Sequence, residues 1–403
     1  MIDFEAELAE LRVRGLHRTT RVVSGPQGAQ VLVDGKPVLL LCSNNYLGFA
    51  EHPRVREAAA DAALRWGTGS GASRLVSGTM TLHAQLEERL AQFTARQSCV
   101  LFGSGYLANI GVVSALAGPG TTVFSDALNH ASIIDGCRLG RAEVFVYGHR
   151  DLDHLAWGLS RAARGALIVT DGLFSMDGDV APLTGIVELA QRHGARVMVD
   201  EAHATGALGP GGRGAVAEAG LEDHVDVIVG TLGKALGSYG AYVCASGKLT
   251  DYLVNTARTL IFSTAPAPPA IAAGLAALEL LCEQPRRVEK LQGNAATMRA
   301  ALEQERVSLP PGRTQIIPLL VGDPSASVAL SAAALERGVF VQAIRPPSVP
   351  EDSSRLRLTV LASHSTSELR RAAGVIAATA RDAGVSFRCE LAAPRGAALG
   401  NAA

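Results

Sequence analysis

Aromatic side chains are scarce in this chain, at 4% of 403 residues, which speaks against a surface built to stack on nucleic-acid bases. No charge sign is in excess either. The formal net charge is -1, and no basic patch or tail is present to neutralise a phosphate backbone. Nucleic acid is therefore not an expected partner. Cysteines are few and scattered, at Cys42, Cys99, Cys137, Cys244, Cys282 and Cys389, with no CxxC pair. That spacing reads as reduced, mostly buried thiols of a cytoplasmic protein, not as a disulfide frame or a metal site. No apolar run reaches membrane-span length. The longest, around Ala270 to Leu281, reads as a core helix. The opening Met1-Ile2-Asp3-Phe4-Glu5 is acidic and lacks the apolar stretch of a signal peptide.

What the chain does have is length and alternation. Its 403 residues suffice for two or three packed units. Phe4, Leu8, Leu11 and Leu16 stand among charges and predict an amphipathic helix over residues 1 to about 22. Apolar runs at 31–33 and 38–41 flank the turn Asp34-Gly35-Lys36-Pro37, a hairpin signal. Between about 55 and 245, helical patterns alternate with short apolar strands at 98–102, 121–125, 142–147, 166–170, 196–199, 225–230 and 241–244. Such alternation argues for a largely parallel sheet with helices on both faces. A helical region from about 270 to 304 follows. Then comes a smaller α/β unit, with strands near 316–321, 339–343 and 355–359 and a last helix near 367–382. The expected division is an N-terminal helix and hairpin (1–45), a large cofactor-binding domain (46–283), a small C-terminal domain (284–385) and a tail (386–403). That tail is Ala/Gly-rich and expected to fray.

Two strands bring the chemistry. The apolar run Val227-Ile228-Val229-Gly230-Thr231-Leu232-Gly233 leads into Lys234. Upstream, Arg196-Val197-Met198-Val199 ends in Asp200, with His203 three positions on. Pyridoxal phosphate chemistry needs a lysine for the Schiff base and an aspartate to hold the proton on the pyridine nitrogen. In an open α/β sheet, ligands bind beyond the carboxyl ends of the strands. Other polar groups fall at such ends: Gly103-Ser104-Gly105-Tyr106, Ser125-Asp126 leading to Asn129-His130-Ala131-Ser132, and Asp171-Gly172-Leu173-Phe174-Ser175-Met176-Asp177-Gly178. The first of these, opening a helix, suits a phosphate.

Each group also has a plainer reading. Gly103–Gly105 can be a simple turn, His130 a core histidine, Asp200 a helix cap and Lys234 a surface lysine. Their joint placement at one sheet edge favours a site. Two other motif matches fail. Asp200-Glu201-Ala202-His203 spells a signature of nucleic-acid-dependent ATPases, but no GxxxxGK[ST] loop lies upstream. His149-Arg150-Asp151-Leu152 is similar to a kinase catalytic loop, but Ala156 stands where its asparagine belongs, and no DFG follows.

From about Leu16 to Arg381 the chain resembles the α-oxoamine synthases, pyridoxal phosphate enzymes of the aspartate-aminotransferase-like, type I fold. The resemblance rests on Ser43-Asn44-Asn45-Tyr46-Leu47-Gly48, Gly69-Ser70-Gly71-Ala72-Ser73-Arg74, Val76-Ser77-Gly78, Asn129-His130-Ala131-Ser132, Phe174-Ser175-Met176-Asp177-Gly178, Asp200-Glu201-Ala202-His203 and Gly233-Lys234. Ala72 departs from a frequent glycine. The segment Ile344-Arg345-Pro346-Pro347-Ser348-Val349-Pro350, followed by Ser354-Arg355-Leu356-Arg357, is most similar to the branch that joins L-alanine to a pimeloyl thioester in biotin synthesis, with loss of CO2.

The resemblance implies roles. Lys234 would carry the cofactor and move the Cα proton. Asp200 would pair with the pyridine nitrogen, and His203 with the phenolic oxygen. His130 would stack on the ring, and Ser175 would contact the cofactor or the reacting carbonyl. Ser104, Gly105, Tyr106 and Thr231 would line the phosphate end, joined by Thr264 from the second subunit of a homodimer. Arg355 would clamp the amino acid carboxylate, with Arg357 on the same face as an open alternative. Arg18 and Asn44 would lie near the acyl-chain end. Rival readings are a relative that uses glycine or serine with another acyl-CoA, a pyridoxal phosphate aminotransferase, and a catalytically silent scaffold.

Overall fold

Seven strands form the central sheet of the computed structural model, which describes residues 2–162 and 165–390. In spatial order they are Ser98–Phe102, Ala241–Ala245, Val227–Thr231, Arg196–Asp200, Ala166–Asp171, Thr122–Asp126 and Glu143–Tyr147. Ala241–Ala245 runs antiparallel to both its neighbours, and the remaining pairs are parallel. The strands fall where the apolar runs predict, shifted by no more than two residues at an end. Both faces are covered. Met198, Val227, Val229 and Val169 pack toward one helical layer, and Val197, Val199, Ile228 and Ile168 toward the other. A strand buried on both sides has to be apolar at every position, which is why these runs are continuous.

Parallel strands bring their carboxyl ends to one edge. Asp171 is in register with Asp200, so the two side chains lie side by side on the same face. Thr231 closes the next strand, and its chain turns back through Lys234 to Ala241. The helix Gly105–Leu116 begins at the same edge, capped by Ser104 Oγ, which accepts from Leu107 N at 3.2 Å. The helix Ala131–Gly140 starts there too, with His130 at its cap.

The expected N-terminal helix over residues 1 to about 22 is shorter in the structure. It spans Phe4–Val13, buries none of its residues, and is stopped by Gly15 at φ 66°. Leu16 lies outside it. The hairpin turns on Asp34 and Gly35 alone, both at positive φ, so Lys36 and Pro37 belong to its second strand, Lys36–Leu40. That strand pairs in parallel with Val339–Phe340, which builds the N-terminal hairpin into the edge of the C-terminal unit. The run at 339–343 is thus not one strand. Its second half, Gln342–Ile344, pairs with Ser354–Thr359 in a separate three-stranded antiparallel sheet with Ile316–Gly322. The helical region from 270 to 304 is two helices, Pro268–Glu283 and Arg286–Gln304, because Pro285 interrupts the hydrogen-bond ladder. The last helix, Thr366–Asp382, opens on a capping box between Ser365 and Glu368. The frayed tail expected from about Ala392 lies outside the described residues.

Among the described residues, no helix is long and apolar enough to cross a membrane, and no cluster of His, Cys, Asp or Glu fits a metal ion. Cys99, Cys137 and Cys244 are buried, and Cys282 and Cys389 are exposed.

Candidate active site

Lys234 does not point into solvent. Its Nζ lies 2.9 Å from His203 Nε2, at the rim of the buried strand edge. Burial lowers the ammonium's pKa from the ordinary 10.5 to about 8, although Asp200 and Asp171 pull the other way and Arg357 adds to the lowering. His203 is buried and held well below its ordinary value, first by desolvation and then by Lys234 and Arg357. It is therefore neutral, with one N–H to give. Its Nδ1 is 2.7 Å from the Tyr46 hydroxyl, which donates to Asn44 Oδ1 at 3.1 Å. The Tyr46 oxygen is then left to accept from Nδ1–H, and the Nε2 lone pair faces the ammonium. Gln315 Nε2 fixes the histidine backbone by donating to its carbonyl at 2.9 Å.

Asp200 is also buried, and its charge acts on Lys234. Oδ1 accepts from Ala202 N at 2.8 Å, and Oδ2 accepts from Asn109 Nδ2 at 2.6 Å. Asn109 also donates to Ser132 Oγ at 2.9 Å, and Ser132 Oγ meets His130 Nδ1 at 2.6 Å. One asparagine thus ties the aspartate to the histidine above it. The sequence reading missed Asn109. Its signal was an amide within the apolar helix Gly105–Leu116, where it is 1% exposed. Asp171 was placed at a strand end by the sequence but given no role. It is buried beside Asp200, and desolvation and that neighbour's charge raise its pKa well above the ordinary carboxylate range.

The other expected residues divide. Thr231 Oγ1 accepts from Gly233 N at 3.1 Å and donates to Gly240 O at 3.0 Å, which shapes the lysine loop. A Cβ on Gly105 would stand 4.0 Å from Thr231 Cβ, so the helix start and the lysine loop face each other across a narrow gap. Tyr106 turns outward and donates its hydroxyl to Asp135. Ser175 is half-buried, and its carbonyl accepts from Arg357 Nε at 2.5 Å. Thr264 is exposed and bridged to Ser73.

The two arginines are now distinct. Arg355, expected as the carboxylate clamp, is 0% exposed; it pairs with Asp177 and donates to Ser353 O at 2.9 Å. Its guanidinium is already occupied by the protein. Arg357 donates to Asn44 Oδ1 at 3.3 Å and acts on both Tyr46 and His203, so it is the cation that faces the lysine. Asn44 therefore belongs to the lysine cluster. Arg18 is exposed and donates to Pro346 O at 3.0 Å. A cavity of about 740 Å³ meets the cluster at His130 and Ser175 and runs out along Arg14, Leu16 and Pro346–Glu351. Arg14, not Arg18, lines it.

Glu201, the second letter of the ATPase-like signature, is a structural cap. Its two oxygens accept from Ala215 N at 2.9 Å and Val216 N at 2.7 Å.

The cluster fits pyridoxal phosphate. It has a buried amine of lowered basicity and a carboxylate held ready for a ring nitrogen. It also has two buried oxygens without partners, Asp171 Oδ2 and Asn109 Oδ1, and a helix start lacking a Cβ where a phosphate needs room. The lysine's protonation has a measurable consequence. Between pH 8 and 10.5 the folded lysine binds fewer protons than the unfolded chain, so the stability of the cofactor-free protein rises with pH across that window. Lys234→Met is expected to lack this rise in thermal melts. An identical pH response in the variant would remove the lysine as its source.

Residues 36–376 match the family described as aminotransferase class I and II. A relative from Citrifermentans bemidjiense named 8-amino-7-oxononanoate synthase is 51% identical over 96% of this chain and 100% of its own length. Among solved structures, a serine palmitoyltransferase variant from S. paucimobilis with PLP and myriocin bound has a TM-score of 0.90 at 31% identity. It covers 94% of this chain and 97% of that one. An 8-amino-7-oxononanoate synthase from Francisella tularensis has a TM-score of 0.75 at 25% identity, over 86% of this chain and 99% of that one.

Proposed function

Because the chain belongs to the aminotransferase class I and II family, we propose that it uses pyridoxal 5′-phosphate to condense L-alanine with a pimeloyl thioester, giving 8-amino-7-oxononanoate, CO2 and free thiol. The observation that carries this reading is the lysine–histidine–aspartate cluster at one strand edge, in a chain half identical to synthases of that name.

When bound, the cofactor supplies an electron sink for charge developing at the alanine Cα. The protein supplies everything else. Lys234 Nζ takes the Cα proton, a task its lowered pKa suits near neutrality. His203, kept neutral, gives that amine a fixed direction through Nε2. Asp200, with two hydrogen bonds already orienting it, would pair with the pyridine nitrogen and hold a proton there. His130 would cover the cofactor ring, and Ser104, Gly105 and Thr231 would hold its phosphate. Arg357 holds the alanine carboxylate, with Asn44 steadying its guanidinium. Ser175 meets the reacting carbonyl at the mouth of the 740 Å³ cavity, where the acyl chain lies.

We read the assembly as a homodimer in the cytoplasm. Thr264 is exposed and bridged to Ser73, and Phe262 (70% exposed) and Val76 (79%) leave apolar surface in the same region for a second copy. Thr264 of that copy then completes the phosphate site.

A coupling assay tests the proposal. Alanine, glycine and serine are each paired with pimeloyl-, acetyl-, succinyl- and palmitoyl-CoA, and CO2 and free thiol are measured. Turnover is expected with alanine and the pimeloyl thioester. Preference for another pair would replace this substrate assignment, and amino transfer to a 2-oxo acid without CO2 would replace the reaction class. Asp200→Ala is expected to weaken cofactor retention and to cut turnover by about 10²-fold or more. An Asp200→Ala enzyme with ordinary activity would remove the residue from its role.

A further inference from the structure

The kinase-like His149-Arg150-Asp151-Leu152 has no place in the chemistry above, yet its histidine occupies a singular position. His149 lies just past the strand Glu143–Tyr147. Its Nδ1 is 2.9 Å from Asp126 Oδ1, and its Nε2 is 2.8 Å from Asp179 Oδ2. A neutral imidazole has only one N–H. With a carboxylate at each nitrogen, the neutral ring would set a lone pair against a carboxylate oxygen, so the geometry requires the imidazolium.

Each carboxylate governs a loop of the site. Asp126 accepts from Leu128 N and Arg150 N, both at 2.9 Å, which orders the turn leading to His130. Asp179 closes the segment 174–179, where its carbonyl accepts from Phe174 N at 3.0 Å. That segment carries Ser175. The His149 ring also stands edge-on to Phe174, with centroids 4.5 Å apart. Arg150 shares Asp179 at 3.3 Å, but half of its side chain is exposed to solvent.

We propose that His149 is a positioning residue: held as an imidazolium between Asp126 and Asp179, it pins the Ser175 loop to the strand end that leads into His130. This rests on the reading of Ser175 and His130 as site residues. Burial opposes the charge, but the two carboxylates outweigh it and raise the histidine's pKa to about 9. A raised folded pKa means that the clamp contributes fully below the ordinary histidine value and is lost as pH rises through about 9.

The test uses the cofactor-loaded wild-type enzyme, labelled with 15N-histidine and 13C-methyl methionine. The ring nitrogens report the charge of His149, and Met176 reports the loop. Both nitrogens of His149 are expected at imidazolium shifts at neutral pH. The Met176 methyl should move with the same midpoint, near pH 9. His149→Gln, which assigns the ring signals, should abolish that response. A neutral His149 at pH 7, or a Met176 methyl indifferent to its titration, overturns the proposal. Asp179→Asn should lower the His149 midpoint by about one unit and kcat/KM by about tenfold per cofactor-loaded molecule. Wild-type kcat/KM in that variant also overturns it. The spectra need no turnover, so a wrong substrate assignment leaves this result readable.

Discussion

Lys234→Ala is expected to lower condensation by about 10⁴-fold or more, the upper range of what a single acid–base group contributes. Lys234 is the group proposed to move the substrate proton, and no second amine stands among its partners His203, Asp200 and Asp171. The neighbouring polar network should survive the change. Asp200 keeps its bonds from Ala202 and Asn109, and His203 keeps Tyr46. The variant should therefore fold and still take up cofactor non-covalently, without the absorbance of a lysine-bound form. CO2 and thiol release per cofactor-loaded molecule are the measurements. Near-normal release would contradict the central assignment.

The second large effect separates two arginines that sit two positions apart on one strand. Arg355→Ala is expected to lower stability by about 3 kcal/mol, because it strips a buried partner from Asp177. The loss stays near the lower end for broken buried pairs because the Asp177 side chain is 23% exposed. Arg357→Ala should instead leave the fold nearly intact and raise KM for alanine by roughly 10²-fold, the value of charge-assisted hydrogen bonds to a carboxylate. Denaturant melts and steady-state kinetics on both variants decide the matter. A stable Arg355→Ala enzyme with a raised KM would exchange the two roles.

The sequence left the choice between Arg355 and Arg357 open for a physical reason. Alternation along a strand puts positions 355 and 357 on the same face, and both do reach the 175–177 segment. It does not say which guanidinium finds a carboxylate of its own chain. Arg18 is a similar case: it was expected near the acyl end, and it donates to the carbonyl of Pro346 in the cavity wall, while Arg14 lines the cavity itself. Asn109 was invisible for the opposite reason. It looks like an ordinary break in an apolar helix until Asp200 and Ser132 are seen on either side of it.

The sequence by itself determined the strands of the central sheet, the carboxyl-end placement of Asp200 and Lys234, and the cofactor class that such a pair serves. Those features follow from local rules: apolar runs of strand length, helix caps, and glycines beside a lysine. Only the tertiary structure decided which groups touch. Tyr46 meets His203 across 157 positions of chain, and Asn44 meets Arg357 across 313. It also decided that the hairpin joins the C-terminal unit and that His149 stands between two carboxylates. Contacts at such separations arise from how packed elements bring distant segments together, and no periodicity along the chain encodes them.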